Sequence, residues 1–295
     1  MLHKTVQELV ERAQAQGSGI GALVLADSAA CEECSPDALM GRMKASLAVM
    51  KEARESGLRP GLRSESGLVG GNAHRLHRRV LEGRLFSGSF LGRVLAGALA
   101  VSESNACMGK IVAAPTAGSC GIIPACFLAL QDELGLDDDA LVLALFHAAG
   151  IGSVIAQQAS ISGAEGGCQA ECGAAAGMAA SALVELMGGA PLWSAHACAH
   201  ALKSLMGLVC DPVAGLVEEP CVIRNASSAA VAVSAAELAL AGVPSVIPVD
   251  QVIVAMGRVG RMMPACLRET AQGGIAATDK AREIEARLQS DKKII

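Results

Sequence analysis

Cys168, Cys210 and Cys221 each sit where glycine or proline shapes the backbone: SGAEGGCQAECG around the first, GLVCDPVAGLVEEPC around the other two, with RNAS close behind. Thiolates are the protein's ligands for soft metals and iron–sulfur clusters. Three thiolates fall one short of the four that close a [4Fe-4S] cluster. An iron without a protein ligand is open to a substrate oxygen and acts on it as a Lewis acid. A three-thiolate site therefore predicts a catalyst, where a four-thiolate site predicts an electron carrier.

Context separates these cysteines from the rest. Cys168 follows Gly166-Gly167 at an expected helix start, where the dipole and free N–H groups favour a thiolate and anionic sulfides. Cys172 shares the i,i+4 spacing but lies a turn further in. Cys210 and Cys221 border a loop that two prolines and a glycine keep irregular. Together the trio is a candidate metal or cluster site. Cys126, Cys198 and Cys266 lie in apolar runs expected to be helical and read as small hydrophobes. Cys31 and Cys34 form a C-x-x-C with no second pair at zinc-finger spacing. His196 and His200, in HACAH, share a helix face but lack the acid of a zinc-protease motif, so packing is the expected role.

A second constellation is residues 114–124, APTAGSCGIIP. Thr116 and Ser119 lead into an expected helix, so hydroxyls and backbone N–H groups converge at its positive end. That is a candidate carboxylate or phosphate site. Gly70-Gly71-Asn72, ahead of His74, offers a similar arrangement. Neither stretch matches a Walker or Rossmann fingerprint.

The elements that must position these groups are legible in the composition. The chain has 295 residues, 52% of them apolar and 2% aromatic, with no Tyr and one Trp. Such a core is filled by Ala, Leu, Val, Ile and Met, and 33 glycines allow close backbone approach. This favours packed helices over a β-sandwich. A net charge of −5 and a pI near 5.7 exclude a nucleic-acid partner, which needs a basic stripe. RLHRR at 75–79 reads as a solvated helix face. Eleven cysteines behind an amphipathic N-terminal helix (MLHKTVQELVERAQ), with no signal-peptide core, predict a reducing, cytoplasmic setting. Residues 140–156 (ALVLALFHAAGIGSVIA) have about the minimum length of a membrane span. His147 interrupts them, three aspartates abut one end and aromatic anchors are missing. They read as a buried core helix, with no membrane partner.

Leu2, Val6, Leu9 and Val10 mark the first helix. Ser35-Pro36-Asp37 supplies an N-cap, a proline at N1 and an early acid. Met40, Met43, Leu47 and Met50 then carry a helix to about Ser56, with a stop at Gly57. The polar, glycine-rich stretch 60–73 (PGLRSESGLVGGNA) places a boundary between an N-terminal helical arm, 1–59, and a main domain, 60–295. Further helices are expected over about 88–103, 121–134, 138–160, 169–187, 193–208, 225–241, 249–262 and 279–290. Residues 21–26 (GALVLA) alone read as a strand. The expected fold is all-α, a multi-helix domain.

At these residues the chain resembles the iron–sulfur-dependent L-serine dehydratases, or L-serine ammonia-lyases. The resemblance rests on SGLVGGNA, VSESNACMGKIVAAPTAGSCGIIPA, ASISGAEGGCQAECGAAAGMAA, GLVCDPVAGLVEEPCVIRNA and MPACLRETAQGGIAAT, in family order from about residue 64 to 278. It implies an all-α catalytic domain around a buried [4Fe-4S] cluster. Cys210 follows Cys168 by 42 positions and Cys221 follows Cys210 by 11, the spacing of the family's cluster-binding trio, so the metal ligands implied are Cys168, Cys210 and Cys221, without Cys172. The chain departs from the family's common SEENA at Ser102-Glu103-Ser104-Asn105-Ala106, from GGDA at GGNA, and around His196 to His200.

Single-chain members carry an N-terminal domain with an S-S-H-T motif. Its absence here implies the α chain of the two-subunit form, with a separate β chain as partner. A C-terminal cysteine tucked against the cluster, as in some members, is not expected of a chain ending Lys292-Lys293-Ile294-Ile295. The implied reaction removes the α-proton and β-hydroxyl of L-serine, and the resulting aminoacrylate yields pyruvate and ammonia. His74 is the candidate base. Asn72, Thr116, Ser119, Arg224 and Asn225 are candidate substrate-binding residues. The rival readings are a related cluster-dependent lyase such as an L-cysteine desulfidase, an iron–sulfur redox sensor and a PLP-dependent dehydratase, the last disfavoured by the all-α pattern.

Overall fold

The computed structural model describes residues 3–291; Leu2 of the first helical stripe and residues 292–295 lie outside the described residues. Thirteen α-helices and a few single-turn elements build the chain, and no strand occurs among the described residues. The all-α expectation holds.

Helices α1 (Val6–Gln16), α2 (Ile20–Cys31) and α3 (Pro36–Leu58) open the chain. The Ser35 hydroxyl accepts the Ala38 N–H and Pro36 occupies N1, as the sequence pattern predicts. Residues 21–26 are the correction: they lie inside α2, not in a strand. A short apolar run carries no period that separates a buried helix from a buried strand, and here packing decides. Gly21 lies so close to α7 (Asp138–Gln158) that a side chain there would overlap the Leu143 carbonyl oxygen.

Helix α4 (Asn72–Leu81) carries the RLHRR cluster and begins at the last glycine of the 60–73 stretch. It is followed by α5 (Gly88–Ala106) and α6 (Ile122–Leu134). The α7 helix is capped by Asp137, whose carboxylate accepts the Ala140 N–H at 2.8 Å. It is the one described helix long and apolar enough to cross a membrane, and 67% of its apolar window is buried within the protein.

The four-residue α8 (Gly163–Gly166) leads to α9 (Ala174–Leu186), the centre of the fold. From Ala174 to Val184 every α9 residue is buried. A helix buried all round must be apolar all round, and its Ala and Gly let four neighbours approach closely. These are α6, α7, α10 (Pro191–Leu205) and α11 (Cys221–Leu240). On this inner group α5 packs against α6 and α11, with α3 and α4 outside it, while α12 (Val249–Met262) covers α10. Helix α13 (Asp279–Ser290) is the last described helix. Val6, Leu9 and Val10 of α1 belong to the same apolar core as α9.

Three helix starts are completed by carboxylates from distant segments. Asp250 accepts the N–H of Val6 and Gln7 at 2.8 and 3.0 Å. Glu185 accepts those of Ile20 and Gly21 at 2.5 and 3.0 Å. Glu103 accepts those of Asn72 and Ala73 at 2.9 and 3.2 Å. Each pairs negative charge with the first-turn N–H groups that no intrahelical carbonyl can reach.

Candidate active site

The segment expected as one helix over 169–187 does not start as one. Gly167, at φ 74°, turns the chain, and residues Gln169–Gly173 form a π turn before α9 begins. Such wide turns are found at functional sites because they re-aim side chains that a regular helix would bury. Gln169 pins the turn: its N–H donates to the Leu208 carbonyl at 2.9 Å, and its side chain bridges Met256 O and Gly207 N–H. Cys168 thus stands at the head of this turn, with the Cys172 Sγ 3.4 Å from its own.

Cys210 comes from an extended stretch after α10. It pairs with residues 267–269, its N–H donating to Leu267 O and its carbonyl accepting the Glu269 N–H. Its thiol reaches towards Gly163, where a side-chain carbon would stand 3.2 Å from the sulfur. Cys221 is the first residue of α11, which starts four residues ahead of the expected 225. The three thiols of the sequence-derived trio, and Cys172 with them, are all buried.

The electrostatics follow from that crowding. The facing thiols of Cys172 and Cys210 and the Arg224 guanidinium hold Cys168 well below the ordinary thiol range, against the effect of burial. The anion on Cys168, with burial, drives Cys172 and Cys210 upward. Burial, then the Cys168 charge, pushes Cys221 up to about 12. Arg224 is the cation that bears on Cys168 and Cys221; it donates to Val209 O at 2.8 Å and pairs with buried Asp211 at 2.7 Å. Three thiolates in one buried place need more positive charge than one guanidinium supplies.

An iron–sulfur cluster fits this donor set. The thiols are soft, buried and drawn from three separate segments, and Gly163 clears room beside the Cys210 sulfur. No group of three or more His, Cys, Asp or Glu converges on a single ion position among the described residues. A cluster does not require that, since each thiolate goes to a different iron.

The hydroxyl-bearing turn lies against the same place. Residues Ala117–Ser119 form one 3-10 turn, and the Thr116 and Ser119 hydroxyls are 3.1 Å apart. Asn225 binds this turn to α11: its Nδ2 donates to Gly118 O and Cys221 O, and its Oδ1 accepts the Gly121 N–H. Its amide is thereby committed to backbone. One residue here was not singled out from the sequence. Glu171, on the π turn, accepts the Thr116 hydroxyl at 2.7 Å and lies 3.9 Å from the Cys210 sulfur. Burial, and next the charges of Cys168 and Glu269, push its carboxyl up to about 7, against the lowering by Thr116. Its signal was present: between Gly166 and Ala180 only Gln169 and Glu171 are polar.

Asn72 and His74 stand apart from this group. His74 Nδ1 lies 3.0 Å from the Leu58 carbonyl, which only accepts, so Nδ1 carries the proton and Nε2 the lone pair of the neutral ring. The Asn72 side chain accepts from Arg75. No hydrogen bond joins either side chain to the thiols among the described residues. The HACAH histidines bind the 243–245 segment instead, through Ser245 N–H and Val243 O. Cys126 and Cys198 are buried in helices, whereas Cys266 lies half-buried in a 3-10 turn and not in a helical run. A cavity of about 310 Å³ opens beside Gly166, Gln169 and Ala170, with Glu165, Arg261 and Arg268 on its walls.

The structure is thus a helical protein in which buried thiols and a hydroxyl-bearing turn lie at one place. The chain matches the family described as "Serine dehydratase alpha chain" over residues 4–276 and belongs to it. It is 45% identical to the "Probable L-serine dehydratase, alpha chain" of Bacillus subtilis, covering 97% of this chain and 95% of that one. Identity is 41% to the "L-serine dehydratase, alpha chain" of Peptoniphilus asaccharolyticus, over 95% and 96%. Against the "L-serine dehydratase 2" of Escherichia coli it is 49% over 61% of this chain and 40% of the longer protein.

Proposed function

We propose that this chain is the cluster-bearing subunit of an L-serine dehydratase, deaminating L-serine to pyruvate and ammonia with a separate β chain as partner. The observation that carries the reading is the meeting of Cys168, Cys210 and Cys221 beside Arg224 and the Thr116–Ser119 turn, in a chain whose relatives bear that name. Those three thiols would hold a [4Fe-4S] cluster, which supplies Lewis acidity to the leaving β-hydroxyl through an iron that lacks a protein thiolate.

The chain's own residues prepare the rest. Thr116 and Ser119, their hydroxyls joined to each other and to Glu171, brace the 3-10 turn whose backbone N–H groups face a substrate carboxylate. Asn225 keeps that turn in register with Cys221. Arg224 offsets thiolate charge while Asp211 fixes its orientation. Gly70, Gly71 and Asn72 lead the chain to His74, whose Nε2 is this chain's candidate base for the α-proton, the alternative being a base from the β chain. Eleven cysteines, none of them in a disulfide, suit a protein that works in a reducing cytoplasm.

The test is anaerobic reconstitution with iron and sulfide, followed by an EPR spectrum and assays for pyruvate and ammonia, with and without a β chain. Cluster assembly with pyruvate formed from L-serine is the expected result. An assembled cluster with no turnover under either condition would favour the redox sensor. Sulfide released from L-cysteine faster than pyruvate forms from L-serine would favour the desulfidase.

A further inference from the structure

The Glu171 carboxylate occupies a slot that two glycines keep open. A side-chain carbon on Gly118 would stand 2.8 Å from its Oε1, and one on Gly163 would stand 2.7 Å from its Oε2. One oxygen accepts the Thr116 hydroxyl, which in turn touches Ser119; the other faces the Cys210 sulfur. Glu171 is half-buried, so part of the residue remains exposed to solvent. No Lys, Arg or His comes within ion-pair distance of it among the described residues. The nearby guanidinium, Arg224, already pairs with Asp211.

A carboxylate withdrawn from water without a cation is unfavourable, and it is kept where something cationic arrives to meet it. We infer that Glu171 receives the α-ammonium group of an amino-acid substrate, while the Thr116–Ser119 turn receives its carboxylate. This rests on the reading of the site as an L-serine site. The geometry suits an α-amino acid, whose two charged groups share one carbon: one hydroxyl, that of Thr116, separates the anionic Glu171 from the donor-rich turn. It makes Glu171 a specificity-determining residue, selecting free α-amino acids over 2-hydroxy acids of the same shape. A side chain on either glycine would displace this carboxylate.

L-alanine and L-lactate test this directly. Neither has a β-hydroxyl to lose, and they differ in carrying an ammonium or a hydroxyl at the α-carbon. Anaerobic calorimetry on the reconstituted, cluster-loaded protein with its β chain reads binding without turnover. The wild-type protein is expected to bind L-alanine at least about tenfold more tightly than L-lactate. Glu171→Gln should abolish that preference by weakening L-alanine alone, with iron content and L-lactate affinity kept, and Glu171→Asp, which retains the charge, should recover part of it. Equal binding of the two ligands by the wild type, no binding of either, or an unchanged preference in Glu171→Gln overturns the assignment. So does a parallel loss of both ligands, which would mark Glu171 as a support for Thr116 only. Pyruvate formation from L-serine by the wild type is scored separately, so failure of this assignment and failure of the L-serine reading are distinguished.

Discussion

The buried Glu103 carboxylate, in the last turn of α5, holds the backbone N–H of Asn72 at 2.9 Å, and its second oxygen takes that of Ala73. One side chain thus fixes where α4 begins, how Gly70 and Gly71 turn into it, and where His74 is presented. Gly70 and Gly71 have φ of 131° and 74°, a region that residues with a side chain rarely enter. The glycines permit the turn and the carboxylate selects it.

Glu103→Ala removes two charge-assisted hydrogen bonds and strands the N–H groups they served. It should cost about 3 kcal/mol of stability, and Glu103→Gln, which keeps one acceptor, roughly half of that. Denaturant midpoints measure the loss, and amide exchange at Asn72 and Ala73 localises it. Exchange at those amides as slow as in the wild type would show that α4 is held by other means.

The thiols give a sharper forecast. Cys168→Ala, Cys210→Ala and Cys221→Ala should each reconstitute with little iron, because no neighbouring ligand replaces the lost thiolate. Cys172→Ala should keep most of it, since Cys172 only faces the Cys168 sulfur from inside the fold. Cys198→Ala and Cys266→Ala should keep it as well. Exposure of the loaded wild-type protein to air should release iron and end activity, an iron without a thiolate being open to oxidants. Iron and sulfide analysis reads all of these. Full iron in any variant of the trio removes that residue from the ligand set, and a large loss in Cys172→Ala points to four ligands.

Much of this was readable from residue types. The Ala- and Gly-rich, ring-poor composition specified packed helices. Caps such as Ser35-Pro36 and Asp137 set helix starts because they act on their own first turn. What the sequence left hidden depends on contacts between distant segments. Residues 21–26 became helical because Glu185 caps them from α9 and α7 packs on Gly21. The π turn at Gln169–Gly173 is held by backbone groups of 207–208 and Met256. Glu171 carried a compositional signal, but its role depends on Thr116, 55 positions away, and no local pattern encodes that.

Acid should expose the same capping device at α2. Burial works to raise the Glu185 pKa, but His147 and the N–H groups of Gly21 and Ile20 outweigh it, and the net shift is below the ordinary 4.5. A carboxylate with a depressed folded pKa contributes stability that is present above pH 4.5 and lost as pH falls through the folded value. Glu185→Gln should therefore be less stable than the wild type near neutrality, by about 2 kcal/mol. Its stability should also decline less steeply as pH falls below 4.5. Denaturant midpoints of the cluster-free chain across that range provide the check, and parallel wild-type and variant curves would refute the linkage.

The final expectation concerns the β chain. A cavity of about 300 Å³ runs between Ser66 and Asn105 on one side and Leu216 and Glu218 on the other, and Met108 on its rim is 83% exposed. Glu218 accepts the hydroxyls of Ser64 and Ser66, so the loop ahead of α4 and the loop ahead of Cys221 move as one wall. His74 follows the first loop and Cys221 the second, with no hydrogen bond joining His74 to the thiols among the described residues. A second chain covering this wall would exclude water from both and complete the site. The α chain alone should then take up a full cluster yet turn L-serine over poorly, and added β chain should raise the rate to a plateau at a fixed ratio. Titrating the β chain into a constant amount of loaded α chain, with pyruvate as the readout, gives the curve. Full turnover without it would assign the base to this chain, with His74→Asn, which retains a donor towards Leu58, as the variant that then has to fail.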